Sequence, residues 1–285
     1  MIRRLEEYEQ ALDAACTAMP HPGMLAALWK RTAGGLPGGL SVYDCGSGVL
    51  LVVRRGAAVL LGRPGAASRR ELAAFAPFAG IHCLYTSDDV QLPAADWSCQ
   101  PLVWMAARTQ SAPAARAASG HAVYLLSSYF AAAQLICGDE SEETRNDFYA
   151  ELCSRRNRGL GQVLALGERS APAGCAVCSG PIPCPVPAER KHLPLLQRLR
   201  IRLKMSKAAP AEWLPTVYLS DVFVAPQYRG DGRGAALVQA ALCKQGLPEE
   251  TQQIAVYCAP EMIPFYQSLR LQEGGRLRCW TSRNE

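Results

Sequence analysis

The stretch that decides the fold runs from Val222 to Ala235 and reads VFVAPQYRGDGRGA. It begins with β-branched and aromatic residues, which favour a strand, and the strand pattern ends at Pro226. Three glycines then occupy alternate positions: Gly230, Gly232 and Gly234. Because glycine lets a ligand approach backbone N–H groups, and because the helix pattern that follows adds a partial positive charge, the stretch predicts a pyrophosphate site.

Two other kinds of phosphate turn fit this stretch less well. A P-loop requires Gly-Lys followed by Ser or Thr, which is absent. The spacing of Gly230, Gly232 and Ala235 fits a loose Rossmann fingerprint, but that fold begins with its motif and continues with further βα units, whereas only 50 residues follow here. Its acidic ribose ligand is also missing, because Cys258 at the end of the next strand is followed by Ala259. An ordinary strand–helix turn does not require three alternate glycines.

A second motif lies about 30 residues downstream, where residues 264–271 read PFYQSLRL. The two stretches together resemble the signature motifs of the GNAT N-acetyltransferase superfamily, Gln/Arg-x-x-Gly-x-Gly/Ala and Phe-Tyr-x-x-x-Gly-Phe. Arg229, Gly232 and Gly234 occupy the positions of the first motif, and the resemblance covers residues 122–280. It implies the GNAT fold, an α/β architecture with a mixed sheet.

The resemblance implies that acetyl-CoA is the co-substrate. Backbone groups of three strand residues would receive the pantetheine arm and the thioester carbonyl, at a point where the strand separates from its neighbour. These residues are Val222, Phe223 and Val224. Amides of the following turn would hold the pyrophosphate. The residues of that turn are Arg229, Gly230, Asp231, Gly232, Arg233, Gly234 and Ala235.

The resemblance also gives a role to Tyr266, which follows Phe265 in the second motif. Its phenol would protonate the leaving thiolate, and a pKa near 10 suits that step. The alternative is an amphipathic aromatic residue of the core. The sequence departs from the family nearby, since Ala259 stands where the family often has Asn and Arg270 replaces the usual Gly.

Direct transfer also needs a group that takes the proton of the attacking amine. Asp221 and Tyr218 lie on the strand that leads into the turn, and their odd spacing predicts that they face opposite sides of the sheet. Glu151 lies on a helix that the family usually places along the acceptor site. Asp221 is the first candidate for the general base.

The predicted function is transfer of the acetyl group of acetyl-CoA to a primary amine of a small molecule or peptide, by direct attack in a ternary complex. A non-catalytic module that binds or senses acyl-CoA is the alternative, because it would keep the phosphate-binding turn. Tyr266 favours the enzyme.

Both halves of the chain show the element order β-β-β-α-β. In the first half, strand patterns cover 41–45, 49–54, 57–61 and 81–85, and Arg55-Gly56 predicts a hairpin turn between the second and third of them. Ser68-x-x-Glu71 reads as a capping box that opens the helix between the last two. In the second half, helix patterns at 122–137 and 142–156 come before strands at 162–166, 174–179 and 216–224, a helix at 234–245 and a strand at 254–258. A short helix at 261–269 and a strand at 276–281 end it.

This repetition predicts tandem GNAT-like domains. A degenerate copy would occupy residues 1–108, a linker 109–120 and the acetyltransferase domain 121–285. In the first copy the turn equivalent to the phosphate loop contains Pro64, which has no N–H group, and it lacks the alternate glycines. We therefore expect that copy to bind no acetyl-CoA.

An insertion at about 180–213 interrupts the second copy. Its proline-rich start predicts irregular structure. Arginine or lysine then alternates with apolar residues over 198–205, which predicts a strand with one basic face. That face would be either a solvated edge or a site for an anionic group.

Composition excludes several classes of protein. Hydrophobic residues make up 49% and charged residues 19%, as in globular proteins, and a net charge of +5 is too weak to indicate a nucleic-acid partner. The most apolar segment, 121–138, is interrupted by polar residues and predicts a buried helix, with no membrane span. Twelve cysteines without a signal-peptide pattern indicate reduced thiols in the cytoplasm. Cys175, Cys178 and Cys184 lack the fourth ligand of a structural zinc site, so no metal is expected.

Overall fold

The computed structural model describes residues 1–33, 39–93, 96–109, 121–185 and 213–283. Most of the predicted linker and the alternating basic stretch at 198–205 lie outside the described residues. Within the described chain, twelve strands form one mixed sheet and seven helices cover its two faces. None of the described helices is long and apolar enough to cross a membrane.

The first half contains six strands and three helices. In chain order they are β1 (Arg3–Leu5), α1 (Glu9–Ala18), α2 (Pro20–Ala33), β2 (Ser41–Asp44), β3 (Leu50–Arg54), β4 (Ala57–Leu61), α3 (Ala66–Phe78), β5 (Cys83–Ser87) and β6 (Trp97–Arg108).

The second half repeats this order with six strands and four helices. They are β7 (Val123–Leu125), α4 (Tyr129–Cys137), α5 (Glu142–Asn157), β8 (Gly161–Gly167), β9 (Pro172–Pro185), β10 (Trp213–Val224), α6 (Arg233–Leu242), β11 (Gln253–Cys258), α7 (Ile263–Ser268) and β12 (Gln272–Ser282). The predicted mixed α/β fold with two similar halves is therefore confirmed, and β1, α1, α2 and β6 are elements that the sequence patterns missed.

The two halves exchange their last strands. The strand order is β1-β2-β3-β4-β5-β12-β6-β11-β10-β9-β8-β7. The final strand of the second half, β12, pairs with β5 of the first half, whereas β6 of the first half pairs with β11 of the second. β6 and β12 also pair with each other in the middle of the sheet, so hydrogen bonds continue across the boundary between the halves.

Apolar side chains fill both faces of the sheet, because successive strand residues point to opposite sides. In β3 and β4, Val52 and Val59 pack with α1 and α2, while Leu51 and Leu60 pack with α3. In β8 the same alternation places Leu164 against α6 and the neighbouring residues against α4 and α5. Each half is thus a sheet between helices.

Two predictions of helix starts were wrong. Residues 122–137 are not one helix, because Val123 to Leu125 pair with β8 before α4 begins after Ser128. Ser68 caps no helix, because α3 begins two residues earlier with Gly65 at its N-cap. Glu71 instead accepts a hydrogen bond from the Ile2 amide.

The proline-rich segment is also regular as far as Pro185, contrary to the prediction, and its remainder lies outside the described residues. β9 continues to Pro185 and stays paired with β10, for example at Ile182 with Thr216. The pairing of β8 with β9 ends at Ser179. Beyond that residue, alternate prolines can point their missing N–H groups to the side of β9 that faces away from β10.

Candidate active site

The candidate site begins where two parallel strands separate. β10 pairs with β11 at Thr216 to Tyr218, and this pairing ends at Tyr218 opposite Ala255. β10 nevertheless continues to pair with β9 on its other side as far as Val224. A wedge therefore opens between the carboxyl ends of β10 and β11, beside the last residues of β10.

The glycine-rich turn lies at the mouth of this wedge. Eight residues, 225–232, connect β10 to α6. Gly230 and Gly232 have φ values of 91° and 86°, in the left-handed region that favours glycine, and Gly232 is the N-cap of α6. Gly234 lies in the first turn of the helix, where a Cβ would meet Phe265 Cζ at an ordinary 3.6 Å. The first two glycines are thus required by the backbone, and the third is not.

Arg229 fixes the turn to the end of β10. Its Nε donates a hydrogen bond of 2.8 Å to the carbonyl oxygen of Val224, and its guanidinium lies 5.8 Å from the centre of the Phe223 ring. The positive charge of Arg229 is thereby held against two of the three strand residues predicted to meet acetyl-CoA. Val222, the third, packs towards the core that contains α6.

A carboxylate and an arginine organise the start of α6. Arg233 Nε donates to Asp231 Oδ2 at 2.7 Å, and the Arg233 amide donates to Asp231 Oδ1 at 3.3 Å. Desolvation works in the opposite direction, but hydrogen bonds from Arg233 keep the pKa of the Asp231 carboxyl below its ordinary value. The amides of Gly234 and Ala235 follow in the first helical turn, where N–H groups have no intrahelical acceptor. They are available to an anion.

A β-bulge in β10 places the side chains of Asp221 and Tyr218 on the same face of the sheet. Val217 and Leu219 pack in the same core as Val222, although Leu219 and Val222 are three positions apart and should point to opposite faces of a regular strand. The register against β9 shifts between Leu219 and Asp221. The extra residue returns Asp221 to the face of Tyr218, so the predicted opposite orientation of these two side chains was wrong.

Asp221 is a half-buried carboxyl with an unusual proton affinity. Burial raises its pKa above the ordinary value, against the opposing effects of a hydrogen bond with Ser220 and the charge of Arg155. A raised pKa makes a carboxylate a stronger base. The structure therefore gives the first candidate for the general base a property that suits this role.

Tyr266 lies in α7, with 5% of its surface exposed. Burial, followed by the proximity of Cys258, raises the pKa of Tyr266 to about 12. Burial also raises the pKa of Tyr218, and both Asp221 and Tyr266 add to that effect. The predicted acid and the first candidate base thus lie within electrostatic reach of one phenol.

Glu151, the other candidate base, lies among three arginines. Its carboxylate is 3.4 Å from Arg54 Nη2 and 3.4 Å from Arg55 Nη1, and it accepts a hydrogen bond from Arg155. Burial acts to raise its pKa, but the three guanidinium groups together hold the pKa below the ordinary value. Glu151 is consequently a weak base. The sequence showed the Glu151–Arg155 spacing of one helical turn, whereas only the fold brings Arg54 and Arg55 to it.

The first half has no equivalent turn. Only four residues, 62–65, connect β4 to α3. The Gly62 amide donates to Met19 Sδ at 2.8 Å, and Arg63 pairs with Asp89 at 2.5 Å. The Gly62 amide at the start of this turn therefore already has a hydrogen-bond acceptor in the Met19 side chain.

The three cysteines that were considered as zinc ligands in the sequence lie apart in the structure. Cys175 packs under α4 and α5, Cys178 packs on the opposite face of the sheet, and Cys184 packs with α2. Among the described residues, no group of three or more His, Cys, Asp or Glu side chains is arranged to hold a metal ion.

No protein-family model and no curated protein matches the sequence. Solved structures do match it. A tandem GNAT protein from the clavulanic acid biosynthesis pathway is 14% identical, with 99% of this chain and 97% of that chain covered and a TM-score of 0.52. A GCN5-related N-acetyltransferase from Sphaerobacter thermophilus is 13% identical, with 99% and 95% covered and a TM-score of 0.54. A Drosophila protein is 11% identical, with 100% and 99% covered and a TM-score of 0.54.

Proposed function

Because the chain has the GNAT fold in two copies, we propose that its second half transfers the acetyl group of acetyl-CoA to a primary amine of a small molecule or peptide. One observation supports this proposal above the others. The turn with Gly230 and Gly232 lies at the N-terminus of α6, beside the point where β10 and β11 separate. A bound CoA molecule could therefore extend from the glycine-rich turn, which would hold its pyrophosphate, to the open end of β10, which would hold its pantetheine arm.

The residues of the turn suit the pyrophosphate of acetyl-CoA. The first-turn amides of α6 and the side chains of Arg229 and Arg233 supply hydrogen-bond donors and positive charge. A Cβ at position 230 would meet no atom within 4 Å, so the space beside this turn is open. The Ala225 amide donates to Ala173 beside β9, so backbone groups of the alternate residues Val222 and Val224 are turned away from β9 towards the wedge, where the pantetheine arm would lie.

Two side chains would move protons in the reaction. Asp221 would accept a proton from the attacking amine, directly or through a water molecule, as its raised pKa favours. Tyr266 keeps its proton at neutral pH, because its pKa is about 12. Donation to a thiolate with a pKa of about 8.5 is uphill by roughly 5 kcal/mol, so Tyr266 would assist departure of CoA without being indispensable.

The experiment that tests this function combines binding with turnover. We expect calorimetry to detect acetyl-CoA binding, and we expect release of free CoA thiol when some member of a panel of amino acids, peptides and polyamines is added. Binding without turnover on any amine would favour the acyl-CoA-binding module. Lack of acetyl-CoA binding would contradict both functions. A cytoplasmic location and the absence of a nucleic-acid partner stay predictions from composition.

A further inference from the structure

The β3–β4 hairpin of the first half reaches the candidate site of the second half. Its turn consists of Arg55 and Gly56, both with positive φ. Arg55 Nη1 lies 3.4 Å from Glu151 and donates a hydrogen bond of 3.2 Å to the carbonyl oxygen of Asp147, so the hairpin tip rests on α5. The preceding residue, Arg54, donates a hydrogen bond of 2.8 Å to Thr32 Oγ1. Both halves thus contribute to one group of charges.

Positive charge exceeds negative charge in this group. We name Arg54, Arg55 and Arg155 the arginine cluster. Its three guanidinium groups share the carboxylate of Glu151. Arg54 and Arg155 are only 6% and 8% exposed, and guanidinium groups keep their charge in proteins. The excess remains when Asp221 is counted as ionised, because three guanidinium groups then face two carboxylates, those of Glu151 and Asp221.

Part of the hydrogen-bonding capacity of the cluster is unused, although all three guanidinium groups pair with Glu151. Among the described residues, Arg54 Nη2 and Arg155 Nε are buried without a hydrogen-bond acceptor. Buried charges are costly unless an opposite charge accompanies them. The side chain of Arg55 is 26% exposed, so the cluster is open to solvent on that side. An additional anion at this edge would improve the charge balance.

The cluster lies next to the proposed base. Arg155 Nη1 donates to Ser179 Oγ at 2.7 Å and lies 3.4 Å from Ser220 Oγ, and Ser220 precedes Asp221. Charges on Arg155 and Glu151 both influence Asp221. An anionic group bound at the cluster would therefore hold the rest of its molecule beside the residue proposed to deprotonate the amine.

We propose that the arginine cluster binds the carboxylate of the acceptor, and that the acceptor is an amino acid. The first half then completes the acceptor site of the second half by supplying Arg54 and Arg55. A carboxylate fits the cluster because Glu151 already presents one to the same three guanidinium groups. The inference rests on the proposed function for the acetylated amine, but carboxylate binding can be measured without turnover.

Arg55→Asn is the informative variant. It removes the exposed guanidinium, and Asn-Gly is a favoured sequence for the hairpin turn that Arg55 and Gly56 now form. Arg55→Lys keeps the charge but loses the planar donor pair. Arg63→Asn is the matched control, since it removes one arginine from another turn of the first half, where the side chain is 81% exposed.

The probes are N-acetylated amino acids with small, acidic, basic and aromatic side chains, each beside its carboxamide. In calorimetry we expect at least one acid to bind the wild-type chain about tenfold more tightly than its amide, as expected for charge-assisted hydrogen bonds. This preference should disappear in Arg55→Asn, persist in Arg63→Asn and fall in part in Arg55→Lys.

Two results would overturn the inference while leaving the acetyltransferase proposal intact. One is equal binding of every acid and its amide by the wild-type chain. The other is an unchanged acid preference in Arg55→Asn. If the acid preference is found as expected but no amino acid is acetylated, the anion site is supported and the proposed reaction fails.

Discussion

Gly232 is the residue at which acetyl-CoA binding can be separated from folding. It is the N-cap of α6 with φ 86° and ψ 4°. A residue with a Cβ costs roughly 1–2 kcal/mol in this region, but Asn enters it more readily than other residues. We therefore expect Gly232→Asn to lower the free energy of unfolding by about 1 kcal/mol at most. The new side chain would stand where the pyrophosphate should approach the turn.

The effect on binding should be larger than the effect on folding. Hydrogen bonds to charged groups contribute about 1.5–3 kcal/mol each, so loss of one between the turn and the pyrophosphate weakens acetyl-CoA binding roughly tenfold to 150-fold. Gly234→Ala is the matched control. Its Cβ would make an ordinary contact with Phe265, and alanine stabilises a helix relative to glycine by roughly 0.5–1 kcal/mol in the interior. We expect this variant to bind acetyl-CoA as the wild type does.

The two measurements are urea unfolding without ligand and calorimetric titration with acetyl-CoA. The reasoning fails if Gly232→Asn unfolds at the wild-type urea concentration or slightly below and binds acetyl-CoA with the wild-type Kd. It also fails if Gly234→Ala loses as much affinity as Gly232→Asn, because binding would then respond to any change in the turn.

Three further expectations concern the same chemistry. Tyr266→Phe keeps the ring, so we expect unchanged acetyl-CoA affinity. We expect kcat to fall by about 10²-fold, near the low end for a general acid. If this variant turns over at the wild-type rate while the chemical step is rate-limiting, Tyr266 is a core residue without a catalytic role. Burial raises the pKa of Asp221, so its ionisation costs stability that is absent below an unfolded pKa of about 3.9 and grows as the pH rises through the folded pKa. We therefore expect Asp221→Asn to unfold with a higher free energy than the wild type at pH 7, to lose that advantage near pH 4, and to turn over slowly. If the variant is instead less stable than the wild type at pH 7, Asp221 acts as an ionised partner of Arg155. Calorimetry should give one acetyl-CoA per chain, because the turn at 62–65 has four residues and Pro64; two would contradict the missing site in the first half.

Elements with local signals were predictable from the sequence. Arg55 and Gly56 marked the hairpin between β3 and β4, and both have the positive φ that such a turn requires. The alternate glycines likewise marked the turn before α6, where φ is positive at Gly230 and Gly232. In each case a few adjacent residues determine the backbone, so the sequence contains the information that is needed.

Features that depend on distant parts of the chain were not predictable in this way. β6 contains Trp104, which is fully buried only because β11 and β12 pair on its two sides. The bulge before Asp221 appears only in the register of β10 against β9. The contact of Arg55 with Glu151 joins residues 96 positions apart. Spacing along one element does not reveal any of these contacts.

The strand exchange explains how a copy without a phosphate loop can stay indispensable to the other copy. Without β6, the strand β11 would be an exposed edge, and the wall behind the candidate site would lose Trp104, whose ring stacks on Tyr218 at 6.4 Å and contacts Tyr257 at 5.0 Å. The turn at 62–65 lies at the carboxyl end of β4, away from β6, so loss of a ligand site there leaves these contacts unchanged. The first half can therefore lack a phosphate loop and still determine the geometry around Tyr218 and, through Arg54 and Arg55, the charge around Glu151.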